Sequence, residues 1–150
     1  LGEALPLPEE EAQAPSITVA LDSPGGSVTD ALAIGRAIRE RGYDTEVGEG
    51  AICLSACPYM LAGGVTRAAD PAGYVGVHQH YFGESTVLPA WMAVEDIQRG
   101  QGEVLDYLDE MGVDLRLMRH SLATPPDEIY ILLPEELTEY ALVTGAGAEG

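Results

Sequence analysis

Apolar and polar positions alternate along this chain with two different periods. Ser16-Ile17-Thr18-Val19-Ala20-Leu21-Asp22 is a short β-prone run, stopped at once by the turn residues of SPGGS. Val28, Ala31, Leu32, Ala37 and Ile38 then recur at helical spacing. Ser27 is placed to cap that helix, with Asp30 three residues on, and Gly42 closes it. Asp44-Thr45-Glu46-Val47 predicts a second strand, closed by Gly48 and Gly50. A helix is expected from about Ser55 to Leu61, with Pro58 in its first turn and Gly63-Gly64 ending it. Tyr74 to Tyr81 alternates and predicts a third strand. Residues 89–112 carry Trp91, Met92, Ile97, Val104, Leu105, Tyr107 and Leu108 and predict a long helix. A shorter helix at about 114–122 runs into Pro125-Pro126. Tyr130 to Leu133 predicts a strand, and Pro134 to Leu142 a helix with proline at its first position. Strands alternating with helices argue for an α/β architecture with right-handed crossovers.

Length and composition sharpen this picture. The 150 residues suit one domain with a real core, and 46% hydrophobic content is too high for a disordered chain. Residues 1–15, rich in Pro and Glu, read as a linker or a frayed helix end, leaving 16–150 as a single domain. No apolar run is long enough to span a membrane, and no basic-then-apolar leader is visible. The formal net charge of −18 disfavours nucleic acid, anionic membrane surfaces and polyphosphate cofactors. All seven basic residues are arginine, so the chain has no lysine.

Three short stretches carry candidate chemistry. Gly25 and Gly26 lie between a strand and a helix, where backbone N–H groups can face an anion at close range. An ordinary tight turn uses the same residues. Ser55 follows a Gly-rich turn at the expected start of a helix. A nucleophile needs that placement, and an N-cap has it too. His78 stands at the end of a predicted strand and suits the base that a serine requires at neutral pH. His80, two residues on, is expected on the same face. An HxH pair with Cys53 or Cys57 would be a metal site, but the spacing is not that of a zinc centre, and no metal is expected. Cys53 and Cys57 bracket Ser55 in CLSAC. They read first as small packing residues, with a bridge as the alternative if their Cα atoms come within about 7 Å.

Taken in order, S-P-G-G-S-V, a helix ending R-G-Y-D-T-E-V, G-A-I-C-L-S-A-C-P-Y-M-L-A-G-G and Y-V-G-V-H-Q resemble the proteolytic subunit of Clp protease and its relatives. The resemblance is nearest to Clp-like proteins predicted to act outside the cytoplasm, in which cysteines flank the serine. It covers Ile17 to about Gln79, and P-E-E-L-T-E-Y-A-L-V is similar to the family's closing helix. It implies a ClpP/crotonase-like α/β fold of repeated ββα and βαβ units, here without the family's N-terminal strand. It also implies a serine peptidase. Ser55 would be the nucleophile, His78 the general base, and the N–H groups of Gly26 and Ala56 the oxyanion hole. Gly25, Ser27 and Val28 would bind substrate. The family's third catalytic member is an acid shortly before the closing helix. Ile129 falls at the gapless position, and Asp127 is the favoured candidate beside Glu128.

The resemblance further implies a peptide or protein substrate, a homo-oligomer, no cofactor, and a periplasmic or exported location. An ATP-dependent unfoldase partner is left open. Some relatives use a Ser–Lys dyad, which a chain without lysine cannot supply. Two other readings stand beside the peptidase. One is a Clp-like protein that binds peptides without cleaving them. The other is crotonase-type acyl-CoA chemistry, which the −18 charge disfavours.

Overall fold

The computed structural model describes residues 16–80 and 90–145. It is a mixed α/β structure with five helices and two small three-stranded sheets among the described residues. The first sheet has β1 (Thr18–Ala20), β2 (Asp44–Val47) and β4 (Arg67–Ala69) in the order β1-β2-β4, all parallel. The second has β3 (Ile52–Leu54), β5 (Tyr74–Val77) and β6 (Tyr130–Ile131). Here β3 and β5 are parallel, and β6 closes the edge antiparallel to β5. The long helix of the sequence reading is α3 (Ala90–Met111), flanked by α1 (Val28–Glu40), α2 (Cys57–Ala62), α4 (Leu117–Ala123) and α5 (Pro134–Glu139).

Chain order explains the two sheets. Each of three passes contributes first to one sheet and then to the other. β2 runs on through Gly48–Gly50 into β3, and β4 runs on into β5. The first pass gives β1, and then Ser23 forms a parallel bridge with Cys53. Its N–H donates to Ile52 O at 2.7 Å, and its carbonyl accepts from Leu54 N at 3.0 Å. Parallel neighbours need crossovers. α1 links the first pass to the second, and α2 the second to the third.

The helices form where the apolar spacing predicts them. α1 buries Val28, Ala31, Leu32, Gly35 and Ile38, and Ser27 Oγ accepts from the Asp30 N–H at 3.1 Å, as its cap position requires. α1 then lies on α2 with almost no side chain between them. A Cβ on Gly63 would sit 2.6 Å from Gly35 Cα, and one on Gly35 would overlap the Tyr107 hydroxyl. That hydroxyl donates to the carbonyl of Tyr59 in α2, locking α3 onto the pair. Arg39 completes the junction. Its guanidinium donates to the carbonyls of Ala62, Gly63, Gly64 and Met111, all at or beyond helix C-termini where carbonyls lack partners. Arg67 does the same at the chain's end, donating to Gly64, Leu142 and Ala141.

The differences from the sequence reading are local. β3 and β4 are three residues each, too short for a periodic signal to stand out. The third strand ends at Val77 rather than continuing to Tyr81, which lies outside the described residues. The closing helix ends at Glu139, and Ala141 takes a left-handed φ of 61°. In α3 only the later face, Val104, Tyr107, Leu108 and Met111, is buried, whereas Trp91 is 67% exposed. Residues 1–15, read as a linker or frayed end, lie outside the described residues.

The glycine contact between α1 and α2 predicts that Gly35→Ala and Gly63→Ala each lower the unfolding free energy by about 1–3 kcal/mol in urea titrations. Gly102→Ala, on α3 with open space around the added methyl, should be neutral or stabilising by up to about 1 kcal/mol.

Candidate active site

The site is assembled where the three passes end. β3 stops at Leu54, and α2 does not begin until Cys57. The chain must therefore reverse direction within two residues. Ser55 makes the turn with a left-handed φ of 65°, which a non-glycine residue rarely adopts. It is not the first residue of the helix, as its place after a Gly-rich turn suggested, but an elbow between strand and helix. Its own N–H donates to Gly76 O at 3.0 Å, so the elbow is tied to β5.

Cys53 and Cys57 form a disulfide across this elbow, with Cα atoms 5.0 Å apart. Packing alone, the first expectation for them, is thus replaced by a covalent clip, although both residues are also fully buried. The bridge removes two thiols from any metal set. Among the described residues no group of three or more His, Cys, Asp or Glu is arranged to hold a metal ion.

Gly25 completes the seat from the first pass. Its φ is 118°, and a Cβ there would lie 2.6 Å from Ser55 Cβ and 3.1 Å from Ser55 Oγ. Only glycine meets both demands. The turn is held by the Gly25 N–H donating to Ser23 Oγ at 3.1 Å. The next amide, that of Gly26, and the amide of Ala56 have no hydrogen-bond acceptor among the described residues. Both residues line one cavity of about 130 Å³ between α1 and α2. Ser27 caps α1 and, with Gly25, also lines that cavity, whereas Val28, expected at the substrate surface, is buried in the core.

His78 follows directly on β5. Its Nε2 lies 2.8 Å from Ser55 Oγ, and its Nδ1 lies 2.8 Å from the main-chain carbonyl oxygen of Glu128. A carbonyl can only accept, so Nδ1 carries the proton. In the neutral ring Nε2 is then the acceptor, and the Ser55 hydroxyl donates to it. This is the tautomer a general base needs. The favoured third member, Asp127, does not make this contact: it is exposed, and the main-chain carbonyl of the next residue meets the imidazole instead. That turn is held by Glu128 N–H to Pro125 O at 3.0 Å. Gln79, which the sequence did not single out, pins the same segment. Its backbone N–H donates to Thr124 O at 2.9 Å and its side-chain amide to Leu122 O at 2.8 Å.

His80 packs edge-on against His78, ring centroids 5.5 Å apart, and its Nε2 pairs with the Tyr59 hydroxyl at 3.0 Å. Burial, then the neighbouring His78, pushes its pKa down to about 4. His80 is therefore neutral at pH 7 and adds no positive charge beside the base. Burial also pushes the Tyr59 phenol well above its ordinary value, so that hydroxyl keeps its proton.

No protein-family model and no curated protein matches the chain.

Three outcomes are expected. The Cys53→Ala/Cys57→Ala double variant should lose about 2 kcal/mol of stability, the value for so short a closed loop. Oxidised wild-type protein should show no alkylatable thiol by mass, and two after reduction; two free thiols before reduction would rule the bridge out. For His80, the unfolded state takes up a proton near pH 6.5 while the folded state resists until about 4. Stability should therefore decline as pH falls through that window. The urea midpoint of His80→Gln should show a shallower slope there than wild type.

Proposed function

We propose that this chain is a serine hydrolase that cleaves peptide bonds through an acyl-enzyme on Ser55, on a ClpP/crotonase-like fold. One observation carries the reading: the hydroxyl of an elbow serine donates to the correctly protonated imidazole of His78 at 2.8 Å. Bound peptide would place its carbonyl carbon over Ser55 Oγ and its oxygen toward the amides of Gly26 and Ala56. As Oγ bonds to that carbon, the hydroxyl proton passes to Nε2, and the negative charge developing on oxygen meets the two amides. Collapse of the tetrahedral intermediate breaks the C–N bond, and the leaving amine takes the proton from Nε2. Water then attacks the ester, giving its proton to His78, and the second collapse releases the acid and restores Ser55.

The Glu128 carbonyl holds the tautomer throughout, but it is a neutral acceptor. It stabilises the transient imidazolium less than a carboxylate would. This favours a slow enzyme, and it also lends support to a second reading, a relative that binds peptides without turnover. Exposed Trp91 and Val94 on α3 support self-association as part of the proposal.

A fluorophosphonate probe should label wild type and fail to label Ser55→Ala. Peptide hydrolysis should fall by at least about 10³-fold in Ser55→Ala and in His78→Ala. Asp127→Asn should stay within about threefold of wild type, because its carboxylate does not touch the base. Unlabelled wild type with intact peptide bound would favour the binding protein instead.

A further inference from the structure

The cavity beside the elbow has a composition that speaks to specificity. Its volume, about 130 Å³, is close to the ~150 Å³ that accommodates one benzene-sized group. Its lining includes Gly26 and Ala56, the apolar side chains of Ala31, Ile34 and Met60, and one ionisable residue, Asp30. No basic residue is part of that lining. Resting on the peptidase reading, we propose that this cavity is the pocket for the side chain of the residue whose carbonyl is attacked, and that Asp30 makes it select lysine or arginine there.

The argument is geometric first. A carbonyl oxygen seated between the amides of Gly26 and Ala56 brings the attacked carbon to the same two residues. The Cα of the residue supplying that carbonyl is one bond away, so its side chain is the one within reach of a cavity that shares those residues. Ala31, Ile34 and Met60 offer an apolar path suited to an aliphatic stem, with the charged head kept toward water. Ile34 is half exposed and Asp30 is exposed, which matches an open-ended pocket rather than a sealed one.

Charge decides which head fits. The first amides of α1 contribute about half a positive charge, which disfavours a cation. Asp30 contributes a full negative charge in the same first turn, and Ser27 already occupies the Asp30 N–H. The local balance is therefore negative. The whole chain reinforces it, with 25 acidic residues against seven arginines drawing cationic peptides toward the surface. An exposed carboxylate gives modest discrimination, so a few-fold effect is expected rather than the strong selection of a buried one.

The test uses peptide substrates identical except at the cleaved residue: lysine, arginine, norleucine and glutamate. Norleucine keeps the stem of lysine and lacks the charge. Wild type should prefer lysine and arginine over norleucine, with glutamate poorest. Asp30→Asn should cut kcat/KM for lysine and arginine about fivefold and leave norleucine within twofold. Ile34→Ala should lower lysine and norleucine alike. Glu40→Gln, an equal change of charge on the exposed far end of α1, should not alter the lysine-to-norleucine ratio. If Asp30→Asn and Glu40→Gln act equally, or norleucine equals lysine in a protein that hydrolyses both, the pocket assignment falls while the peptidase stands. If no substrate is cleaved and the fluorophosphonate does not label Ser55, the peptidase reading falls and takes this one with it.

Discussion

The reversal at Ser55 is the constraint around which the rest is built. A strand that ends at Leu54 and a helix that starts at Cys57 leave two residues for the turn, and a left-handed serine makes it. Such a backbone persists only where its surroundings over-determine it. Here three independent ties do so. The Ser55 amide is bonded to Gly76, the chain on either side is joined by a disulfide, and Gly25 presses on the serine from the first pass. Each comes from a different part of the chain. The glycine contact between α1 and α2 serves the same end at one remove, since it fixes where α2 begins relative to the turn of Gly25 and Gly26.

The neutral partner of His78 follows from topology rather than from a missing acid. The segment after α4 reaches the imidazole as a tight turn held by Pro125, and in that turn the Glu128 carbonyl meets the ring while Asp127 is exposed. A carbonyl, like a carboxylate, can only accept, so it selects the same tautomer. What it lacks is the charge that would lower the energy of the protonated ring. His80 remains uncharged, so it would not oppose the positive charge that the proposed mechanism puts on His78.

Much of this was legible in the sequence, and the misses have a common cause. Some residues announced themselves: Ser27 as a cap, Ser55 and His78 as a pair, Gly25 and Gly26 as a glycine turn between strand and helix. The long apolar periodicities of α1 and α3 were equally readable. Main-chain roles left no trace, because any residue can supply a carbonyl. The Glu128 acceptor and the ties from Gln79 could not be read from residue type. Three-residue strands carry too few alternations to be seen. Val28 is the opposite case, since its neighbours in the motif suggested a surface role while its helical spacing with Ala31 and Leu32 already marked it as core. The two cysteines were ambiguous for a geometric reason, because only the left-handed turn brings their Cα atoms to 5.0 Å.

The three-pass arrangement has a consequence for how the proposed activity would arise. Gly26 follows the first pass, Ser55 ends the second, His78 ends the third, and the Glu128 carbonyl arrives on the segment after α4. Apart from Ser55 and the adjacent Ala56 amide, no two of these groups are near neighbours in sequence. Under the proposed mechanism the site is complete only when every pass has docked: a half-folded molecule would carry every residue of the site without its geometry. If Ser55 is the nucleophile proposed above, such a chain would stay silent until its last pass has docked, which would protect it from that serine during folding.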